Sequence, residues 1–113
     1  MIIYKVCPKA DYEAAKDEGF YRGMPVDIED GFMHFSTAAQ LPETLEKHFA
    51  GQSDLVLLYV DAEWVENHLK WEPSRGDDLF PHLYAELNLA HVLRTHDLKV
   101  DENGRFILPD DIR

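Results

Sequence analysis

The sequence predicts an α+β fold, a curved and largely antiparallel sheet with two helices near its N-terminal half. Three observations carry this reading. Strand-like segments outnumber substantial helical ones. Leu55–Val60, LVLLYV, is continuously apolar and reads as a central strand covered on both faces. Asp101-Glu102-Asn103-Gly104 lies between two short strand-like runs, and its Asn-Gly pair is a hairpin signal. The chain is expected to form one domain over residues 1–113. That length buries roughly two thirds of its unfolded surface and needs no covalent staple.

In chain order, Ile2–Val6 is a first strand ended by Pro8. Asp11–Glu18 reads as a short helix capped by Asp11, with Tyr12 and Ala15 inward and Gly19 closing it. Phe20–Ile28 reads as irregular, with Gly23 and Pro25 marking turns. The next stretch, DGFMHFSTAAQLPETLEKHF from Asp30 to Phe49, organises the rest. A two-residue period puts Phe32, His34 and Ser36 on one face of a short strand and Met33 and Phe35 on the other. Thr37 and Gln40 have the spacing of a capping box. Pro42 leaves two alternatives: a helix from Thr37 with a proline deep inside it, or a helix from Pro42 preceded by a lead-in turn. In both, Leu41, Leu45 and Phe49 face the core and Gly51 ends the helix.

Beyond Leu55–Val60, Asp61 caps a helical turn through Trp64 and Val65, and Leu69–Glu72 forms a further strand. Ser74–Leu79 reads as a polar loop, His82–Leu87 as a strand, and Leu89–Val92 as a brief turn or helix start. Asp97–Val100 and Arg105–Leu108 make the closing hairpin.

Composition narrows the function. At 45% hydrophobic and 12% aromatic residues, this is an ordinary globular chain. Its 11 basic residues are scattered among 22 acidic ones, giving a net charge of −11. Binding to a phosphate backbone needs clustered cations, so neither nucleic acid nor an anionic membrane is an expected partner. No apolar run has the length of a membrane span, and Met1–Lys5 reads as a strand rather than a signal peptide. Cys7 is alone, which excludes an internal disulfide and a cysteine zinc site, and a reducing cytoplasm fits best. Cys7 itself reads as a buried strand-end residue.

The candidate site starts from His34, Ser36 and Thr37, which converge at a strand end, where mixed α/β folds place ligands. A solitary strand histidine is usually structural, and the company of Ser36 and Thr37 separates His34 from that case. Arg75, in a Ser-Arg-Gly loop, can offer a planar fork to a phosphate or can simply be solvated. His82 shares a strand face with Tyr84, as a polar cluster or as a buried structural pair. Glu72 is an acid or, by preference, an ion-pair partner of Arg75. His48, His68, His91 and His96 share no spacing, and none makes the i, i+4 pair of a helical metal motif, so no metal is expected.

Three blocks together resemble a family. They are Ile3-Tyr4-Lys5 with the following helix and Gly19; Asp30-Gly31-Phe32-Met33-His34-Phe35-Ser36-Thr37; and Trp71-Glu72-Pro73-Ser74-Arg75-Gly76 with Phe80-Pro81-His82-Leu83-Tyr84. The likeness is to bacterial domain-of-unknown-function family 952 and runs to about Arg94. That family is grouped by fold with the ADP-ribosyltransferases, so the resemblance implies a split antiparallel sheet around an NAD-binding cleft.

Carried over residue by residue, Lys5 lies near the first-strand residue that holds the adenosine-side ribose or phosphate. Phe35-Ser36-Thr37 is similar to the element lining the nicotinamide pocket. His34-Phe35-Ser36 also looks like the His-Leu-Ser element of NAD-dependent RNA 2′-phosphotransferases. The third element of those enzymes is a glutamate that steadies a ribosyl cation. Here that neighbourhood holds His82 and Tyr84, with Glu86 two residues further on. An imidazole cannot supply that carboxylate's charge, so turnover is expected to be slow or absent.

The expectation is therefore a cleft lined by His34, Ser36 and the Arg75–Tyr84 segment. It would bind NAD, ADP-ribose or a related nucleotide through Lys5, His34, Ser36, Thr37, Arg75 and Tyr84. His34 and His82 are the candidates for any catalysis. An NAD-dependent transferase and a non-catalytic interaction protein are the alternatives.

Overall fold

Strand β4 (Leu55–Asp61) is where the apolar patterning of the chain becomes architecture. In the computed structural model, which describes residues 1–74 and 76–112, β4 is the middle strand of a three-stranded antiparallel sheet. Its neighbours are β1 (Ile2–Pro8) and β8 (Val92–Asp97). Side chains alternate across a strand, and β4 is apolar on both faces. Val56, Leu58 and Val60 enter one core with Ile3, Met33, Phe35 and Leu83. Leu55, Leu57 and Tyr59 enter a second core with Tyr4, Val6 and Leu98. Helix α3 (Leu41–His48) lies on that second face through Leu41 and Leu45, with Phe49 just beyond its end. Coverage of β4 on both faces is as the sequence predicts.

The remaining elements fall into place around this sheet. Helix α1 (Lys9–Ala15) follows β1 and buries Tyr12 and Ala15. A short strand β2 (Phe20–Tyr21) leads to helix α2 (Pro25–Asp30) and then to β3 (Met33–His34). After β4, a 3₁₀ helix over Ala62–His68, capped by the Asp61 side chain, precedes β5 (Leu69–Pro73) and β6 (Leu79–Leu83). Strand β7 (Leu87–Asn88) pairs with β2, and the terminal hairpin joins β9 (Lys99–Val100) to β10 (Phe106–Ile107). Among the described residues, no helix is long and apolar enough to cross a membrane.

Strands β3, β6 and β5 form a second three-stranded antiparallel sheet, with β6 in the middle. The chain crosses from this sheet to the first within two residues. Phe35 N donates to Pro81 O of β6 at 3.0 Å. Ser36 and Tyr4 then exchange backbone hydrogen bonds of 2.9 and 2.8 Å, a bridge onto β1. This seam is where the candidate residues gather.

The α+β class and the antiparallel pairing agree with the sequence reading, and four boundaries do not. Helix α2 occupies part of the stretch expected to be irregular. Its Val26 and Ile28 are exposed, so it carries no apolar period to read. Polar contacts hold it instead: Pro25 occupies its first turn, and the Asp27 side chain accepts from Met24 N at 2.7 Å. Strand β6 begins at Leu79, inside the expected polar loop, and ends at Leu83, while Leu87 belongs to a different pair. Leu89–His91 forms a 3₁₀ helix, in keeping with the expected turn or helix start, but strand β8 follows it unforeseen, because an edge strand exposed along much of its length has little alternation to betray it. Helix α1 spans Lys9–Ala15 rather than Asp11–Glu18. At Pro42 the lead-in turn is the alternative realised, with α3 starting at Leu41 and the proline in its first turn.

Candidate functional site

The polar centre of the seam is Asp27, a residue within α2. The residue is buried, and its carboxylate accepts four hydrogen bonds. Oδ2 takes Lys5 Nζ at 2.8 Å and Met24 N at 2.7 Å. Oδ1 takes His34 N at 3.1 Å and faces His34 Nδ1 at 2.6 Å. Burial opposes the charge on Asp27, but the hydrogen bond from His34 and the charge and hydrogen bond of Lys5 outweigh it, and the carboxyl is brought down to about 2. Burial likewise pulls the Lys5 ammonium below its ordinary value, against the pull of Asp27. Gly23 makes room for this arrangement. Its φ is +106°, and a Cβ there would stand 2.8 Å from Asp27 Cβ and 2.9 Å from the carboxylate.

His34 is held on both sides. Nδ1 faces Asp27, and Nε2 lies 2.9 Å from Asp30 Oδ2 at the C-terminal end of α2. A carboxylate only accepts, so both contacts are hydrogen bonds when the ring carries a proton on each nitrogen.

His82 is the direct cross-strand partner of His34 in the β3–β6 pair, and the ring centroids are 5.4 Å apart at 67°. Its environment differs. Nδ1 is 2.9 Å from Glu72 Oε1 on β5, and Tyr84 Oη donates to the same oxygen at 2.7 Å. The Tyr84 hydrogen bond first, and His82 second, hold the Glu72 carboxyl below its usual range. Glu72 in turn pushes the Tyr84 phenol up. Phe32 stacks on the His82 ring at 4.2 Å and 22°, and also touches the rings of His34 and Tyr84. His82 is 4% exposed, and its Nε2 is buried with no hydrogen-bond partner among the described residues.

These side chains border a cavity of about 400 Å³. Lys5, Asp27, Asp30, His34, Ser36 and His82 supply polar wall, while Tyr4, Val6, Phe35, Phe49 and Phe80 supply apolar and aromatic wall. Ser36 Oγ is hydrogen-bonded to Thr44 Oγ1 of α3 at 2.9 Å. Among the described residues, no group of three or more His, Cys, Asp or Glu is placed to hold a metal ion.

The family model described as protein of unknown function, DUF952, matches residues 6–95. This chain belongs to the DUF952 family. The crystal structure of protein CC0527 from Caulobacter crescentus is similar over 99% of this chain and 98% of that one, at 46% identity and a TM-score of 0.94. The solution NMR structure of the same Caulobacter protein is similar over 92% of this chain and 90% of that one, at 47% identity and a TM-score of 0.83. No curated protein matches the chain. Asp27, His34, Glu72, His82 and Tyr84 all fall within the DUF952 span, and Lys5 lies one residue before it.

Of the residues singled out in the sequence, Lys5, His34, Ser36 and His82 come together in the cavity wall of this DUF952 protein. Thr37 and Tyr84 are not in that wall. Thr37 is used in the expected reciprocal cap, its Oγ1 accepting from Gln40 N at 3.2 Å and its N–H donating to Gln40 Oε1 at 3.0 Å. Tyr84 reaches the site through its hydrogen bond to Glu72 and its ring contact with Phe32. Arg75 lies outside the described residues.

Four wall or support residues escape the sequence reading in whole or in part. Asp27 and Asp30 sat in or beside a segment read as irregular; a proline in the first turn followed by an acid is a helix-start signature that could have revealed α2. His48 has no spacing that marks it in the sequence, yet it lines the cavity. Glu72 was read chiefly as a partner for Arg75; it supports His82 and Tyr84.

Proposed function

We propose that this DUF952 protein binds a small nucleotide, NAD, ADP-ribose or a relative, in the cavity at the seam of its two sheets, with slow or absent turnover. The observation that carries the reading is the cavity itself. Its volume of about 400 Å³ falls in the range of small-molecule sites, roughly 300–1,000 Å³. Its lining combines polar side chains with aromatic rings, the two kinds of surface that a ribose and a base require. The likeness to the ADP-ribosyltransferase-like superfamily, whose cleft lies between small antiparallel sheets, supports the same ligand class.

Within this reading the charges divide their work. Lys5 is committed to Asp27 at 2.8 Å, so it sets the potential of the wall, and Arg75 is the group proposed to meet phosphate. His34 and Ser36 orient the sugar. The carboxylate nearest His82 is Glu72, and the Oε1 atom facing the ring already accepts from His82 and Tyr84. That engagement accords with weak or absent stabilisation of a ribosyl cation. Isothermal titration with ADP-ribose and NAD tests the proposal: binding that weakens in Ser36→Ala and His34→Ala supports it, and no heat at millimolar ligand contradicts it.

A further inference from the structure

We propose that Tyr84, Glu72 and His82 form a hydrogen-bond relay that makes His82 Nε2 the cavity's acceptor for a hydroxyl group of the bound ligand. The inference rests on the small-ligand reading above, and it assigns a donor–acceptor polarity to that site.

The relay joins Glu72 on β5, His82 on β6 and Tyr84, the residue just past the end of β6. Tyr84 Oη donates to Glu72 Oε1 at 2.7 Å, and the same oxygen lies 2.9 Å from His82 Nδ1. A phenol donor on a carboxylate keeps that carboxylate charged and an acceptor, so the Nδ1 side of the imidazole must supply the proton. A neutral ring with its proton on Nδ1 has its lone pair on Nε2. That atom is buried, lacks a partner among the described residues, and belongs to a side chain that lines the cavity. A buried acceptor without a donor costs free energy, which a ligand O–H recovers. Phe32, stacked at 4.2 Å, fixes the plane of the ring and so the direction of the lone pair.

The facing histidine cannot play this part. Both nitrogens of His34 are turned to carboxylates, Asp27 and Asp30. The pair thus offers the ligand one ring already engaged on both sides and one ring with a single acceptor that has no partner among the described residues. Ligands with a hydroxyl at that point gain a hydrogen bond, and analogues lacking it leave Nε2 empty. Glu72 and Tyr84 are positioning residues, since they act through His82.

The test is ¹⁵N-detected imidazole NMR of the full chain, with His82 assigned by the signals that disappear in His82→Gln. ADP-ribose and D-ribose are the probes. The free protein is expected to show a protonated Nδ1 and an unprotonated Nε2, and either probe should shift the Nε2 resonance. Glu72→Ala should shift the tautomer balance towards protonated Nε2 and weaken ADP-ribose binding about ten-fold, while Glu72→Gln, which keeps a carbonyl acceptor, should restore most of both.

A protonated Nε2 in the free wild-type protein overturns the relay whatever binds. ADP-ribose binding with Nε2 unmoved overturns the relay and leaves the nucleotide reading standing. A shift with D-ribose but no binding of ADP-ribose supports the relay and overturns the nucleotide reading. Failure of both probes to bind overturns both.

Discussion

Lys5 and Asp27 form a buried ion pair at 2.8 Å, the ammonium 3% and the carboxylate 1% exposed, and the backbone of both sheets is arranged about it. Lys5 stands on β1 of the first sheet. Asp27 stands on α2 and holds His34 of the second sheet by its backbone and its ring. The pair therefore couples the two sheets through one carboxylate. Removing one partner of such a pair strands a charge, which costs about 3–5 kcal/mol in buried sites. Asp27→Ala should show a loss of that size in urea melts, and Lys5→Met with Asp27→Leu together should recover part of it.

Acid should find the same carboxylate. The Asp27 carboxyl is held down to about 2 in the folded protein, below its ordinary value of 3.8. A depressed carboxyl means that the unfolded chain binds more protons between those values. The stabilisation is fully present above the unfolded value and is lost as pH falls towards about 2. It amounts to about 2 kcal/mol by linkage. Equilibrium unfolding at a series of acid pH values checks this: the slope in that window should flatten in Asp27→Asn.

Gly23→Ala should disturb the site, and Gly104→Ala should not. Both glycines have positive φ, +106° and +79°, so each alanine pays a conformational cost of roughly 1–2 kcal/mol. Only at Gly23 would the new Cβ also press on Asp27, at 2.8 Å. Thermal melts should show the larger loss for Gly23→Ala, and the His34 ring signals should move in that variant alone.

Tyr84→Phe deletes one hydroxyl at the surface. The hydrogen bond it gives is the largest influence lowering the Glu72 carboxyl. Its loss should raise the Glu72 pKa, as read by NMR titration of the side-chain carboxyl, with stability close to wild type. Leu57→Ala is the contrasting case. Leu57 is fully buried in the α3-side core, and its truncation should cost about 2–5 kcal/mol with the Glu72 titration unchanged.

Legibility of the chain followed the kind of force involved. Leu55–Val60 and the Leu41–Leu45–Phe49 stripe could be read because burial imposes period and composition, and the structure buries all of them. The sequence reading puts His34 and His82 along one cleft, whereas their direct cross-strand pairing comes from the β3–β6 register. Helix α2 could not be read in the same way, since hydrogen bonds to Asp27 rather than an apolar face hold it. Glu72 and His82 lie ten residues apart and meet only because β5 and β6 pair in one register, with Lys70 opposite His82 and Glu72 opposite Phe80. Register is a tertiary fact, and no local pattern around Glu72 announces it.

Whether the seam cavity takes an NAD-like nucleotide, as proposed, is decided by titration calorimetry with ADP-ribose on wild type, Arg75→Ala and Arg105→Ala. If a phosphate contact is a charge-assisted hydrogen bond worth roughly 1.5–3 kcal/mol, Arg75→Ala should weaken binding by about ten- to a hundred-fold, and Arg105→Ala should match wild type. Equal affinities for all three proteins, or no binding by the wild type at millimolar ADP-ribose, would contradict the account.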